Sequence, residues 1–544
     1  MNKDMKTNKF ILSASMLAMA MTGCTDLDVN VDSMYTVDPS KDGGMDPMIV
    51  VEAKMSDVYF HLAGTLGRRY MEAQALASDE FTCLAFDGGY YDAGTYAHTA
   101  LHCSSEEDAS LDWYSEVTAG ITKANVILDE LGSGASVAMT APARAIRAYY
   151  TWILMDSFGD APILDGIAAE GVITPRSPRK EVALWIEKEL NEIIPNLTTE
   201  VSANTYGKPT KWMAEALLAK LYINWPVYTA ESVDQYDATT AYNEKLTECI
   251  AACDDIIASG IFNLGSMEYR FKFAPNNGPQ VEDFIYAMPY DAIERGGMQY
   301  ARPRSFKDLK NMVPNYYGST DKFSQSFGGN MVVTPEFLKL FCLEGDQRNL
   351  NVLRGAVYNR DAKTLLPTSE PFMYKDQQVV FTDDIKLVKQ DNTIDVGGDT
   401  EGKLQGAHSI KWFIVPEDYN NGRNQSNDLP IFRYADVLLM KAEALVRDGQ
   451  KGAMELVNQV RTYAKAPTLT AEPTLKELLD ERGREFFDEN WRRNDLIRFG
   501  EFESEFFPHY QGFPDANFDK RHRIFPVEKE MLDLNPGWEQ NPGY

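Results

Sequence analysis

The stretch from Leu429 to Gly500 constrains the fold more than any other part of the chain. Ile431, Tyr434, Ala435, Leu438, Ala442 and Leu445 fall on one face of a 3.6-residue period. Gly449 follows the last periodic residue, where a C′ glycine ends a helix. A second amphipathic run carries Ala453, Leu456, Val457, Val460 and Tyr463. Two such helices around a glycine turn make an αα-hairpin of tetratricopeptide type. A third helix is expected from near Thr474, carrying Leu478, Leu479, Phe486, Phe487 and Trp491.

The same pattern recurs upstream. Trp113 to Leu131 and Ala141 to Ser157 read as one helix pair, with Pro142 suited to a first helical turn. Residues 178–194 read as a further helix. The run from Lys211 to Tyr222, ended by Pro226, pairs with 241–258. Repeated pairs stack to bury a core that no single pair could bury. Residues 261–428 break this rhythm with Gly, Asn and Pro clusters and short β-like runs such as Gln378 to Thr382. The expected fold is mainly α: tetratricopeptide-like helix pairs forming a curved scaffold, about 48–260 and 429–500, with a loop-rich lobe of short β-hairpins at about 261–428. Long ordered loops on a rigid frame are where binding sites tend to sit.

The N-terminus reads as a targeting segment. Lys3, Lys6 and Lys9 precede a mostly apolar run, Phe10 to Met21, too short to span a bilayer. Thr22 and Gly23 then lead to Cys24, as in a bacterial lipobox, with Met21 where Leu is commonest. Residues 1–23 are thus expected to be a lipoprotein signal peptide and Cys24 the lipidated residue. The alternative is an ordinary secretory signal beside an unrelated cysteine. Residues 24–47 read as a tether, and 48–544 as one domain. Cys83, Cys103, Cys249, Cys253 and Cys342 make no disulfide framework. Cys249 and Cys253 are expected as packed thiols, and a Cys83–Cys103 bridge stays open because both flank one loop.

The formal net charge of −28 argues against nucleic acid, whose phosphates demand Lys and Arg. No G-x-S-x-G, Walker, H-E-x-x-H or C-x-x-C pattern occurs. Glu481, Glu485 and Glu489 alternate with Arg482, Arg484, Arg492 and Arg493, which reads as a structural ion-pair network. His98, His102 and Cys103 have metal-like spacing but lack a second ligand pair, so no metal site is expected. No cofactor is expected either; calcium is left as an unplaced option, since the run Asp-x-Asp-x-Asp-Gly is absent.

Aromatic loops carry the binding expectation. A sugar ring offers an apolar C–H face and a rim of hydroxyls, so its site needs aromatic platforms beside hydrogen-bonding side chains. Two loops fit. One holds Asp79, Phe86, Asp87, Tyr90, Tyr91, Asp92 and Tyr96. The other holds Tyr300, Arg302, Asn315, Tyr316, Tyr317, Ser319, Gln325 and Phe327. The expected glycan contacts are Asp79, Phe86, Tyr90, Tyr91, Tyr96, Tyr300, Tyr316 and Tyr317. Trp113, Trp152, Trp185, Trp212 and Trp491 fall on helical faces and are expected in the core.

Several blocks also resemble one family. Arg433-Tyr434-Ala435-Asp436-Val437-Leu438-Leu439-Met440 with Ala442-Glu443-Ala444 resembles a SusD/RagB signature. So do Glu481-Arg482, Arg484-Glu485-Phe486, Glu489, Arg492, Asp495 to Gly500, and the ending Gln540 to Tyr544. The segments Arg147 to Tyr150, Phe158 to Pro162, Tyr206 to Ala214, and Pro335 with Asp346 and Arg348 are similar to further family positions. The resemblance implies a lipid-anchored outer-membrane protein on the cell surface. It would capture an oligosaccharide, without catalysis, for a SusC-like TonB-dependent transporter. A glycan-degrading enzyme on a helical scaffold is the competing reading, and a peptide-binding scaffold a third.

Overall fold

The computed structural model describes residues 47–544, apart from 109–110, 295, 301–322, 326–330, 362, 389–392 and 505–517. Cys24, Tyr316 and Tyr317 lie outside the described residues. Residues 55–544 pack as a unit of their own.

Helices stack in succession. They are α1 (Tyr114–Leu131), α2 (Val137–Phe158), α3 (Arg179–Ile193), α4 (Lys211–Ile223), α5 (Leu246–Ala258), α6 (Tyr434–Arg447) and α7 (Ala453–Tyr463). Each packs on the next, α1 through α7, although a long insertion separates α5 from α6 in sequence. The starts are encoded locally. Ser136 Oγ accepts from Met139 N ahead of α2, and Thr210 Oγ1 accepts from Met213 N ahead of α4. Helix α2 therefore begins a turn earlier than expected, and Pro142 sits inside it. Helices α1 and α2 approach closely at Gly120, where a Cβ would lie 2.7 Å from the Tyr150 ring. Trp113, Trp152, Trp212 and Trp491 are buried. Trp185 is half-buried, with the Arg147 guanidinium 5.3 Å above its ring.

Three further expected boundaries move. Ile431 lies not in α6 but in a strand. Four strands matter below: β1 (Phe81–Cys83), β2 (Phe284–Met288), β3 (Met331–Val333) and β4 (Leu429–Arg433). Strand β4 pairs antiparallel with β2, from Leu429 opposite Met288 to Arg433 opposite Phe284. Pro430 lacks an N–H, so this segment cannot be helix interior, and the helical spacing of Ile431 is coincidental. Helix α6 starts at Tyr434, where Asp283 accepts from two backbone N–H groups: Tyr434 N to its carbonyl and Ala435 N to Oδ1. The third helix is α8 (Leu475–Glu485), opened by a Thr474/Glu477 capping box. It stops at Glu485; Asp488 and Asn490 adopt positive φ, and α9 (Arg492–Phe499) begins afresh. Finally, α5 starts at Leu246, because the Asn243 side chain caps the carbonyls of Tyr222 and Ile223 instead of entering a helix.

The lobe contains short antiparallel pairs, such as Tyr358–Arg360 with Pro367–Pro371 and Gly355–Ala356 with Val380–Phe381. Strand β1 pairs with β3, tying the first aromatic loop to the lobe. Cys249 and Cys253 are buried thiols, and no disulfide joins Cys83 to Cys103.

Charges fill the seam between β4, α8 and the lobe. Arg433 holds Asp283 at 2.7 Å, Glu485 at 2.9 Å and Glu489 at 2.7 Å. Lys272 shares Asp283, and Lys411 shares Glu489. Arg348 bridges Asp346 and Glu481, which also takes Arg461 and Arg484. Arg482 joins Asp436 to Asp495, and Arg498 joins Asp495 to Glu443. The glutamate–arginine alternation is thus a buried structural network. Arg433→Ala would leave Asp283, Glu485 and Glu489 with only Lys272, Arg348 and Lys411 respectively, and we expect it to lower unfolding stability by about 3–5 kcal/mol in urea titrations. A loss under about 1 kcal/mol would contradict this role.

The network also sets a pH dependence. Burial opposes ionisation of Asp283, but Lys272 and Arg433 outweigh it and hold its pKa at about 2. Burial likewise opposes ionisation of Glu481 and Asp495; arginines beside each hold them at about 2. Unfolded carboxylates titrate near ~4. The stabilisation is therefore complete above ~pH 4 and is lost as pH falls toward ~2. Asp428 acts in the opposite sense: burial pushes it up to about 7, so its ionisation disfavours folding as pH rises toward neutrality. Melting temperature measured from pH 6 to pH 2 should fall steeply below ~pH 4; a flat profile would contradict the assignment.

Candidate functional site

The first aromatic loop is a ribbon growing out of β1. Phe86 and Gly89 exchange backbone hydrogen bonds across Asp87-Gly88, both at positive φ. Asp-Gly is the favoured pair for a tight hairpin turn of this hand. The ribbon lies beside residues 394–398. Ala85 N donates to Ile394 O at 2.9 Å, and Val396 N donates to Ala85 O at 3.1 Å. Gly398 N donates to Asp87 Oδ1 at 2.8 Å. A Cβ at Gly398 would overlap the Asp87 carboxylate, so only glycine allows this approach. Beneath them Leu84, Leu101, Val332, Ile385, Ile394 and Val396 form a small apolar core, with Phe86 packed on its edge.

The expected contact residues divide. Phe86 and Tyr90 are half-buried on the ribbon, and Tyr90 Oη accepts from Ile394 N at 2.7 Å. Both residues remain partly exposed. Tyr91 opens the 3-10 turn Tyr91–Gly94. Asp79, Tyr96 and Tyr300 instead turn inward, a correction to the sequence expectation. Asp79 is clasped by Arg492 through Nε at 2.7 Å and Nη2 at 2.8 Å. Tyr96 Oη donates to Glu72 Oε2 at 2.7 Å, and Tyr300 Oη donates to Asp488 Oδ1 at 2.5 Å. All three are buried, with their polar atoms spent on interior partners. Of the second loop, Gln325 is described and half-buried.

His98 and His102 do not converge. His98 Nδ1 pairs with Asp108 Oδ1 at 3.0 Å. His102 Nε2 faces the Ala77 carbonyl at 3.2 Å, and its ring stacks on Phe502 at 4.6 Å. The sequence reading missed the 394–398 partner segment. The Asp87-Gly88-Gly89 turn signature was its one local signal; the glycine at Gly398 carries meaning only once the ribbon is placed beside it.

A stacked helix-pair scaffold carrying such loops defines the class of protein, and comparison with known proteins names the family. The SusD family model matches residues 283–544. A second model, described as starch-binding associating with outer membrane, matches residues 27–223. The chain belongs to the SusD/RagB family. It is 24% identical over 461 residues to the starch-binding protein SusD of Bacteroides thetaiotaomicron, covering 80% of this chain and 78% of that one. It is 23% identical over 455 residues to the SusD-like protein P25 of Formosa agariphila, covering 78% and 77%. Among solved structures it resembles surface glycan-binding protein A of Bacteroides thetaiotaomicron, solved with laminarihexaose. That match has a TM-score of 0.65 at 17% identity, over 91% of this chain and 99% of that one. A SusD superfamily protein of Parabacteroides distasonis matches with TM-score 0.67 at 19% identity, over 92% and 100%. These likenesses establish the shared, mainly helical fold.

The inward placement of Asp79 has a testable consequence. Asp79→Asn leaves the buried Arg492 guanidinium without its countercharge. We expect a stability loss of about 3 kcal/mol in urea titrations, with glycan affinity unchanged by calorimetry. Weakened binding at unchanged stability would restore Asp79 to the contact surface.

Proposed function

We propose that this protein captures an oligosaccharide at the cell surface, without catalysis, and delivers it to a SusC-like TonB-dependent outer-membrane transporter. The observation that carries the reading is the ribbon: Phe86 and Tyr90 are both half-buried at a tight turn, Tyr90 is held by Ile394 N, and the turn is held by Gly398 through Asp87. Pinned aromatic rings present a flat apolar surface at little entropic cost, which suits the C–H face of a sugar. Relatives that bind starch and laminarihexaose support the same ligand class. In this reading Tyr91, Tyr316 and Tyr317 extend the platform. Cys24 carries the lipid that holds the protein at the outer membrane.

The non-catalytic reading draws support from the carboxylates. The glutamates of the second family signature, Glu481, Glu485 and Glu489, are engaged by buried cations. Hydrolysis of a glycosidic bond needs two carboxyls facing a shared open site.

The test is an oligosaccharide array probed with the protein lacking residues 1–24, each hit followed by calorimetry and an assay for reducing sugar. Phe86→Ala and Tyr90→Ala should each weaken the best hit roughly tenfold, about 1.4 kcal/mol. Tyr90→Phe keeps the ring and should weaken it less. Binding unaffected by both alanines would remove the ribbon from the site, and release of reducing sugar would favour the enzyme.

A further inference from the structure

Helix α3 opens with Pro178-Arg179-Lys180 onto a cleft of about 550 Å³, walled on the far side by Val227 and by Thr229 to Val233. Arg179 lines this cleft yet is only 7% exposed. Its guanidinium lies 4.8 Å from the Tyr228 ring centroid, and Nη1 donates to Val227 O at 3.4 Å. The rest of the fork is unspent among the described residues: Nε, itself closed off from solvent, has no acceptor there, and Nη2 makes no hydrogen bond.

Arg179 differs from the arginines of the central network. Arg348, Arg433, Arg482 and Arg498 each hold carboxylates directly. No carboxylate among the described residues forms an ion pair with Arg179. Asp156, the nearest buried acid, is taken by Tyr228 Oη at 2.8 Å and Asn494 Nδ2 at 2.7 Å. Asp160 Oδ1 accepts from the Arg179 backbone N–H at 2.8 Å, so it serves the helix start. Burial pulls the Arg179 pKa down, yet guanidinium stays charged at any working pH. Asp156 and Asp160 support that charge without pairing with it, and a desolvated cation with no direct ion pair is costly unless an anion is supplied from outside. Lys180 stands beside it, exposed and without an ion pair among the described residues. The N-terminus of α3, a helix of 15 residues, adds a partial positive charge on the same side. Two exposed acids line the cleft against these cations: Glu231 on the rim and Asp160 at the helix start.

We propose that this cleft is an oxyanion site. It takes a carboxylate, sulfate or phosphate group side-on against the Nε/Nη2 edge of Arg179, with Lys180 as the second charge at the mouth. A guanidinium edge matches two oxygens of such a group at once, which a lone ammonium cannot do. The inference stands apart from the glycan reading: the anion could be free in the medium or borne on a sugar.

Isothermal titration of the protein lacking residues 1–24 with sodium sulfate and with sodium glucuronate, at ionic strength held constant with chloride, tests it. Saturable binding at one site is expected. Arg179→Gln should abolish it, and Lys180→Gln should weaken it about two- to fivefold. Glu231→Gln should tighten it about twofold by removing the rim charge. Sulfate alone binding would indicate a free anion; glucuronate binding more tightly would indicate a sugar-borne group. Lys180 and Glu231 are exposed, so their variants decide the matter even if Arg179→Gln fails to fold. No saturable binding of either anion, or binding indifferent to both exposed-charge variants, would overturn the proposal.

Discussion

Everything in this fold leans on Arg433. Its guanidinium is buried where strand β4 hands over to α6, and it holds three carboxylates from two separate places in the chain: Asp283, and Glu485 with Glu489. Asp283 in turn caps α6 and takes Lys272. Glu489 takes Lys411 from the lobe. Charges withdrawn from water are expensive unless each is met by partners in good geometry. That requirement makes the seam selective: a displaced lobe would leave Lys272, Lys411 or their carboxylates buried and unmatched. Apolar contact is non-directional, whereas ion pairs fix distance and angle and so penalise a shifted placement.

The seam explains how irregular loops stay positioned. The ribbon at Phe86 follows directly from β1, which pairs with β3, and β1 is preceded by Asp79, clasped by Arg492 of α9. Tyr300 begins the second aromatic loop and is fastened to Asp488, just past α8. Both loops are thus anchored at their roots by the turn and helix that follow α8. A binding surface made of loops gains precision when its roots are rigid, because less ordering is left to occur on binding.

The sequence was informative where the physics is local. The glycine stop at Gly449 and the helix start near Thr474 were readable because each signal involves residues a few positions apart. Ile431 misled because strand β4 depends on β2, far upstream, and helical spacing over a few residues can arise by chance. Asp79, Tyr96 and Tyr300 misled for the same reason. Each belongs to a polar, aromatic stretch that reads as surface loop, and each finds its partner elsewhere in the chain: Arg492, Glu72 and Asp488. Composition marks a residue as able to bind a sugar; only the tertiary partner shows whether that capacity is already used. Phe86 and Tyr90 remained at the surface because their anchors come from behind, through Ile394 and the apolar cluster beneath.

The central claim is that a rigid, ion-paired frame presents the Phe86–Tyr90 ribbon as a sugar platform. Hydrogen–deuterium exchange, with and without the tightest-binding oligosaccharide from the array, tests it most directly. The account predicts slower exchange on binding at residues 84–98 and 393–398, and no change across β4 and α8, which should already be protected. Protection confined to α1 through α5, with the ribbon unaltered, would contradict it.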